Sequence, residues 1–554
     1  MERLCWGWWW HLGILCLMHW AAGDTGSKTK SCSEVKQVYL AKGFSLNGAP
    51  QSEISGEHLR ICPQGYTCCT SEMEENFANI SRVEFEAKLR ESSASIQRLL
   101  TTQHRNFDSY FQDLLNTSER VLQERFPSQY GDLYSQNSKI FRDLYSELRQ
   151  YYRGSGINLE EALIEFWSRL LERVFKAQHT QYSFSEEYMD CLVKQYEQLK
   201  PFGDTPREVK LKAARAFIAA RSFVQGLNAA ADVVRKANQV PMSTECARAV
   251  MKLVYCPHCR GHSSIKLCSN YCWNVMRGCL ANQADLDSEW RNLIESLLLV
   301  ADKFNGASNV ENIVGAIHTK ISEAITHMQE NKELLTNKVF KICGTPKKTN
   351  KGSKSEERRR KGKATQEDKS AVATMDNLIS DVKGILSDIQ DYWVSLPSLF
   401  CTEKVTAGPG NEDKCWNGIT KGRYMPEPMG SGLANQINNP EVDVDITKPD
   451  MTIRQQIMQL KIMTSRLRNA YNGNDVDFQD TSDDMSGSGS GDGCNEDLCG
   501  SGRKLSRETV IIQPATHAVP RQPNPGETGK GTRLSSWDLL ICLVALLVAQ
   551  CTRW

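Results

Sequence analysis

In the stretch "NLEEALIEFWSRLLERVF", Leu159, Leu163, Phe166, Trp167, Leu170, Leu171 and Val174 recur every three or four positions. That spacing predicts an amphipathic helix with one wide apolar stripe turned inward. Asn158 stands at the N-cap position, and Glu160 and Glu161 fall in the first turn, where acids favour a helix start. A longer pattern covers residues 84–126, which contain neither glycine nor proline. There Phe85, Leu89, Ile96, Leu99, Leu100, Phe107, Phe111, Leu114, Leu115 and Leu122 repeat at roughly helical spacing. Similar helical patterns run over 206–238, 286–304, 309–340, 375–396 and 452–470. Between Cys32 and Cys343 almost nothing alternates as a strand would. The chain reads as all-α, with helices often longer than average.

Two segments break the pattern. Residues 344–370 carry few apolar side chains and read as a solvated, disordered loop. Residues 475–535 are rich in Asp, Ser, Gly and Pro and read as a flexible tail or stalk. The ordered part is therefore expected at about 30–343 and 374–473, with roughly 50 flexible residues giving a reach of tens of ångströms.

The two ends carry processing signals. After Arg3, an apolar run over 6–20 leads to Ala21, Ala22 and Gly23, the layout of a secretory signal cut after Gly23. At the far end, the apolar run "LLICLVALLVA" is about half of what a membrane span needs. Small and polar residues precede it, the arrangement that directs a glycosylphosphatidylinositol (GPI) anchor. Gly529 is the expected attachment residue, with Gly531 close behind. The expected layout is a signal over 1–23, a core over 24–473, a stalk over 474–529 and a removed propeptide over 530–554.

Composition sharpens this picture in two places. The net charge is +1 and the charge is uneven, basic over 347–363 and acidic over 475–497. A chain so balanced is not built to grip nucleic acid. Of 20 cysteines, Cys5, Cys16, Cys542 and Cys551 fall in the removed ends, leaving an even number in a secreted chain. Disulfides are the default there. Cys68 and Cys69 are adjacent and are expected to bond to two different partners, since neighbours rarely bridge each other without strain. The cluster Cys256, Cys259, Cys268, Cys272 and Cys279 offers partners, while Cys401 and Cys415 lie beyond the basic loop. The "CPHC" run also has the spacing of a zinc half-site or a redox pair. Secretion argues against free thiolates, and no strand–helix–strand pattern surrounds the run. No Gly-x-Ser-x-Gly, His-Glu-x-x-His, phosphate loop or dinucleotide fingerprint occurs. Pairs such as Glu160-Glu161 or Asp483-Asp484 read as a helix start and a solvated tail. The chain is read as non-enzymatic, without cofactor or metal.

Several long runs resemble one known family, the glypicans. They are "CSEVKQVYLAKGFSLNGAP" from Cys32, "ISGEHLRICPQGYTCCTSEMEE" from Ile54, "RGCLANQADLDSEW" from Arg277, "NQINNPEVDVDITKPD" from Asn435 and "YNGNDVDFQD" from Tyr471. The likeness covers about 32–499, while the loop over 344–372 and the tail beyond 500 match poorly. The resemblance implies an elongated all-α multi-helix core stapled by seven disulfides, with a disordered C-terminal stalk. It implies the pairs Cys32 with Cys68, Cys62 with Cys256, Cys69 with Cys259, Cys191 with Cys343, Cys246 with Cys279, Cys268 with Cys415 and Cys272 with Cys401. Cys494 and Cys499 stay outside that scheme and are expected to pair across a short tail loop or to remain thiols.

The tail segment "DDMSGSGSGDG" holds Ser486, Ser488 and Ser490, each beside glycine and near Asp483, Asp484 and Asp492. A glycosaminoglycan chain is built on an exposed serine hydroxyl, and flanking glycine removes bulk while keeping the backbone adaptable. Alone, the segment reads equally as a linker. The resemblance implies that these serines carry heparan sulfate, which collects heparin-binding growth factors and morphogens of the fibroblast growth factor and Wnt type. The chain would then be a co-receptor on the outer leaflet of the plasma membrane, held there by its lipid anchor or shed. Asn79 and Asn116 head N-glycosylation sequons on expected polar helical surface. Arg358-Arg359-Arg360-Lys361 resembles a convertase site, although Lys361 stands where the strong form wants arginine; the other reading is a solvated basic loop. Two further readings are a protein-only receptor or adhesion module acting through the cysteine-rich N-terminal region, and a secreted enzyme.

Overall fold

The computed structural model describes residues 31–305, 309–348 and 375–475. After α1 (Ser33–Ala41) comes α2 (Ser71–Tyr130), a single helix of 60 residues. At 1.5 Å per residue it is about 90 Å long. Thr70 caps it by accepting from Met73 N at 3.2 Å, and Pro127 is confined to its last turns before Gly131. The helix begins well before the pattern at 84, because Met73 and Phe77 extend the buried face N-terminally. One expected stripe residue turns outward: Leu99 is exposed and its neighbour Leu100 buried. Adjacent positions lie about 100° apart on a helix, and here the packed face takes Leu100 and leaves Leu99 toward solvent.

Next come α3 (Asp132–Arg153), α4 (Leu159–Gln178), α5 (Glu186–Lys194), α6 (Tyr196–Leu199) and α7 (Thr205–Ala237). In α4 all seven stripe residues are buried, and Asn158 Oδ1 accepts from Glu160 N and Glu161 N at 3.0 and 3.3 Å. The middle of the chain folds as α8 (Thr244–Val254), α9 (Cys256–Cys259), α10 (Ser269–Cys279), α11 (Ala281–Ala284) and α12 (Asp287–Asp302). The pattern over 309–340 is broken into α13 (Val310–Gly315), α14 (Ile317–Glu330) and α15 (Lys332–Cys343). The interruptions fall at Gly315-Ala316 and Asn331, where glycine and asparagine weaken helix continuity. Past the loop, α16 (Met375–Asp388) and α17 (Tyr392–Ser395) end before Pro397, and α18 (Met451–Asn472) closes the described chain.

The all-α expectation holds for the described residues, which lie in one compact unit stapled by disulfides. Helix α7 is its axis, packed against α2, α12 and α18. Every residue from 216 to 223 is buried, including Arg221 and Ser222, so this middle stretch of α7 is enclosed on all sides. Gly226 lies where it meets α12 and α18. A Cβ there would stand 2.8 Å from Leu297 Cδ2 and 3.2 Å from Leu467 Cδ1. Gly226→Val is therefore expected to overpack the crossing and cost about 1–3 kcal/mol, read as a lower thermal midpoint of the core.

Strands are confined to two-residue pairs among the described residues: β1 (Ile54–Ser55) with β2 (Tyr66–Thr67), and β3 (Tyr182–Ser183) with β4 (Lys347–Lys348). The second pair corrects the loop expectation, since the loop's first residues are paired rather than loose. Cys343, four residues before β4, is bonded to Cys191. The Phe340 ring also meets Tyr182 edge-on at 5.3 Å. These two ties hold the root of the loop against β3.

Candidate functional site

The N-terminal end of the core is a disulfide knot. Cys68 bonds to Cys32, and its neighbour Cys69 bonds to Cys259. Cys62 bonds to Cys256, so both cysteines of "CPHC" reach back to the first seventy residues and not to each other. The middle cluster thus supplies the partner of Cys69 but not that of Cys68. The zinc and redox readings of "CPHC" need free or mutually paired thiols, which this bonding removes. Backbone bonds reinforce the junction: Cys68 N donates to Cys259 O at 2.8 Å, and Arg260 Nη1 donates to Tyr66 O at 2.9 Å. Cys246–Cys279, Cys268–Cys415 and Cys272–Cys401 staple the next layer. The last two fasten the segment after the basic loop to α10.

Glu74 is a structural residue with no sequence signal. It looks like an ordinary acid in a helix first turn, yet it is 4% exposed. Its carboxylate accepts from Arg60 N and Ile61 N at 2.9 Å and from Cys62 N at 2.7 Å. Nearby, Tyr255 Oη donates to Glu84 Oε2 at 2.7 Å, and Lys42 pairs with the same carboxylate. Burial pushes the Tyr255 phenol up to about 12. Burial, followed by the Lys42 charge, pushes the His258 imidazole down, so that ring is neutral near pH 7.

Both sequon asparagines are exposed on α2, and both hydroxyls two residues on are buried. Ser81 Oγ donates to Ala78 O at 2.8 Å, and Ser118 Oγ contacts Val314 O and Tyr145 Oη, each at 2.8 Å. Positions i and i+2 lie about 200° apart on a helix, so an outward asparagine places that hydroxyl inward. Asn116 Oδ1 also accepts from Arg149 Nη2 at 3.0 Å.

A cleft of about 940 Å3 opens between α2, the α7–α8 link, the α10–α11 junction and residues 443–448. Phe85, Leu89, Val240, Met242 and Val444 give it apolar walls, and its lining carries charges of both signs. Among the described residues no group of three or more His, Cys, Asp or Glu is placed to hold a metal ion, and no helix is long and apolar enough to cross a membrane. The acceptor candidates Ser486, Ser488 and Ser490 lie outside the described residues. So do Gly529, Cys494, Cys499, the two processing signals and the run 358–361.

A long-helix core closed by a disulfide knot, followed by an acidic Ser-Gly tail, defines a proteoglycan-type core protein. The sequence model of one family, Glypican, matches residues 14–552. The chain is 61% identical to glypican-1 of Gallus gallus over 552 residues, 99% of each chain. It is 60% identical to glypican-1 of Homo sapiens over 562 residues, covering both chains fully. Its fold is similar to the crystal structure of the full-length glypican-1 core protein, with TM-score 0.75 and 59% identity over 80% of this chain and 100% of that one. It also resembles Dally-like protein in complex with O-palmitoleoyl serine, with TM-score 0.65 and 31% identity over 81% of this chain and 100% of that one. This chain belongs to the glypican family, a family of proteoglycans.

Proposed function

We propose that the chain is a GPI-anchored, cell-surface heparan sulfate proteoglycan that concentrates heparin-binding growth factors and morphogens as a co-receptor. The observation that carries this reading is the sequence Ser486-Gly487-Ser488-Gly489-Ser490-Gly491 in an acidic bed, beginning eleven residues past the end of the described core. Family membership supports heparan sulfate on these serines, N-glycans on Asn79 and Asn116, and an anchor at Gly529. Signal, core, stalk and propeptide keep the bounds 1–23, 24–473, 474–529 and 530–554. The sulfated chains are polyanions with condensed counterions, so basic ligands gain affinity by releasing those ions. Holding the chains at a membrane raises the local ligand concentration without a deep pocket. Fibroblast growth factor and Wnt-type signals fit this class. The O-palmitoleoyl serine bound by Dally-like protein adds ligands bearing an acylated serine.

Heparinase treatment of the protein from expressing cells tests the reading. The expected result is a broad, slow smear on a gel that collapses to a sharp band; a band sharp from the start and unmoved by heparinase would overturn it. The 940 Å3 cleft favours a second reading, a receptor that binds partners through protein surface alone. That reading expects ligand capture to survive loss of the sugar chains.

A further inference from the structure

Helix α3 grips both ends of the second sequon on α2. Tyr145 and Arg149 stand one turn apart on α3, so they share a face. Ser118 Oγ has one proton, and Val314 O can only accept. The hydroxyl therefore donates to Val314 O, and Tyr145 Oη donates to Ser118 Oγ, each at 2.8 Å. Arg149 takes the other end. Its Nε and Nη2 donate to Asn116 Oδ1 at 3.3 and 3.0 Å. The same Nη2 donates to Glu119, one turn on from Asn116 along α2. Arg149 and Glu119 are both half-buried where α3 packs on α2, so their ion pair is screened less than an exposed one.

An N-glycan is bonded through the asparagine Nδ2 and leaves Oδ1 an acceptor. The amide group is planar. A guanidinium held on Oδ1 therefore fixes the plane of the group, and with it the direction of the Nδ2 bond. Asn116 Nδ2 has no hydrogen-bond partner among the described residues, and the residue is exposed. We propose that Arg149 is a positioning residue for a glycan on Asn116. Its guanidinium, anchored by Glu119, clamps the glycosylated amide through Oδ1 and sends the sugar out in one direction from the α2–α3 seam. Asn79 is equally exposed on α2, but its side chain has no hydrogen-bond partner among the described residues. One glycan root is held and the other is loose.

The clamp deepens the reading that Asn116 carries an N-glycan and rests on it; it does not depend on heparan sulfate. Its consequence is chemical. An amidase that frees the glycan adds water to the amide carbon and breaks the bond to Nδ2. The nitrogen leaves with the sugar as an amine, and aspartate remains. In the transition state negative charge grows on Oδ1, where the enzyme must place its own donors. Arg149 already occupies that oxygen and must be displaced first, so release from Asn116 is slowed.

The experiment is release of N-glycans by a peptide-N-glycosidase from the folded full chain, taken from expressing cells. All three candidate acceptor serines are alanine in it, so that no sulfated chain obstructs the enzyme. Conversion of asparagine to aspartate is followed by peptide mass at 116 and at 79. Arg149→Met keeps an apolar stem but no donor. It is expected to speed release at Asn116 about tenfold, the order set by one charge-assisted hydrogen bond, with Asn79 unchanged. Arg149→Lys keeps the charge without the fork and should fall between wild type and Met. Glu119→Gln leaves Arg149 in place without its anchor and should give a smaller rise than Met. An unchanged rate at Asn116 in Arg149→Met overturns the clamp. An equal rise at both sites marks a loosened core and overturns it as well. Should Arg149→Met fail to fold, Glu119→Gln decides, and no rise at Asn116 there overturns the clamp. A wild-type chain with no glycan at Asn116 overturns the clamp together with that glycan assignment, while the heparan sulfate reading stays with its heparinase test.

Discussion

Ser486→Ala, Ser488→Ala and Ser490→Ala together are expected to abolish the heparinase-sensitive mass and the salt-sensitive part of ligand capture, leaving secretion and the core's thermal midpoint unchanged. The three serines alternate with glycine in a run that offers no apolar side chain for a core to bury. A basic ligand that neutralises six to ten sulfates, by analogy with phosphates, should lose about 10³–10⁵ in affinity between 50 and 200 mM salt. The triple variant should lose both the binding and the slope. Single variants should each keep part of both, because the remaining serines still carry chains. Capture of a basic growth factor by the triple variant at wild-type strength would assign binding to protein surface, with the 940 Å3 cleft as the first place to look.

Glu74→Ala is expected to lower the stability of the core by about 3 kcal/mol or more. One buried carboxylate serves three backbone donors, at Arg60, Ile61 and Cys62. Alanine leaves all three N–H groups without that acceptor, and each buried unmet donor costs about 1–3 kcal/mol before relaxation and water entry. Glu74→Gln keeps one acceptor oxygen and should lose less. Two measurements check this. The thermal midpoint should order as wild type, then Gln, then Ala. Cys62–Cys256, whose Cys62 backbone rests on the same carboxylate, should be reduced faster by dilute thiol in the Ala variant. Equal midpoints for wild type and Ala would show that solvent replaces the carboxylate at no cost.

Local determinants were legible along the chain, and the reason is range. The stripe from Leu159 to Val174 and the Asn158 cap involve neighbours within a few residues, and both appear in α4 as the spacing predicts. The chemistry expected of Ser486, Ser488 and Ser490 rests on equally local signals, the flanking glycines and nearby aspartates. Choices between near-equivalent partners are not local. Leu99 and Leu100 are alike in sequence, and only the position of the facing helices decides which is buried. Adjacency forbade a Cys68–Cys69 bond, but the division between Cys32 and Cys259 depends on residues 190 positions away. Glu74 and Asp475 are ordinary acids in the sequence. Tertiary structure makes one the acceptor for a loop folded back over α2 and sets the other on a tyrosine 324 residues earlier. Periodicity and caps act within a turn or two, so the sequence by itself determined the helices. Burial and long-range pairing are properties of the assembled core, so only the tertiary structure decided what each buried charge and each cysteine does.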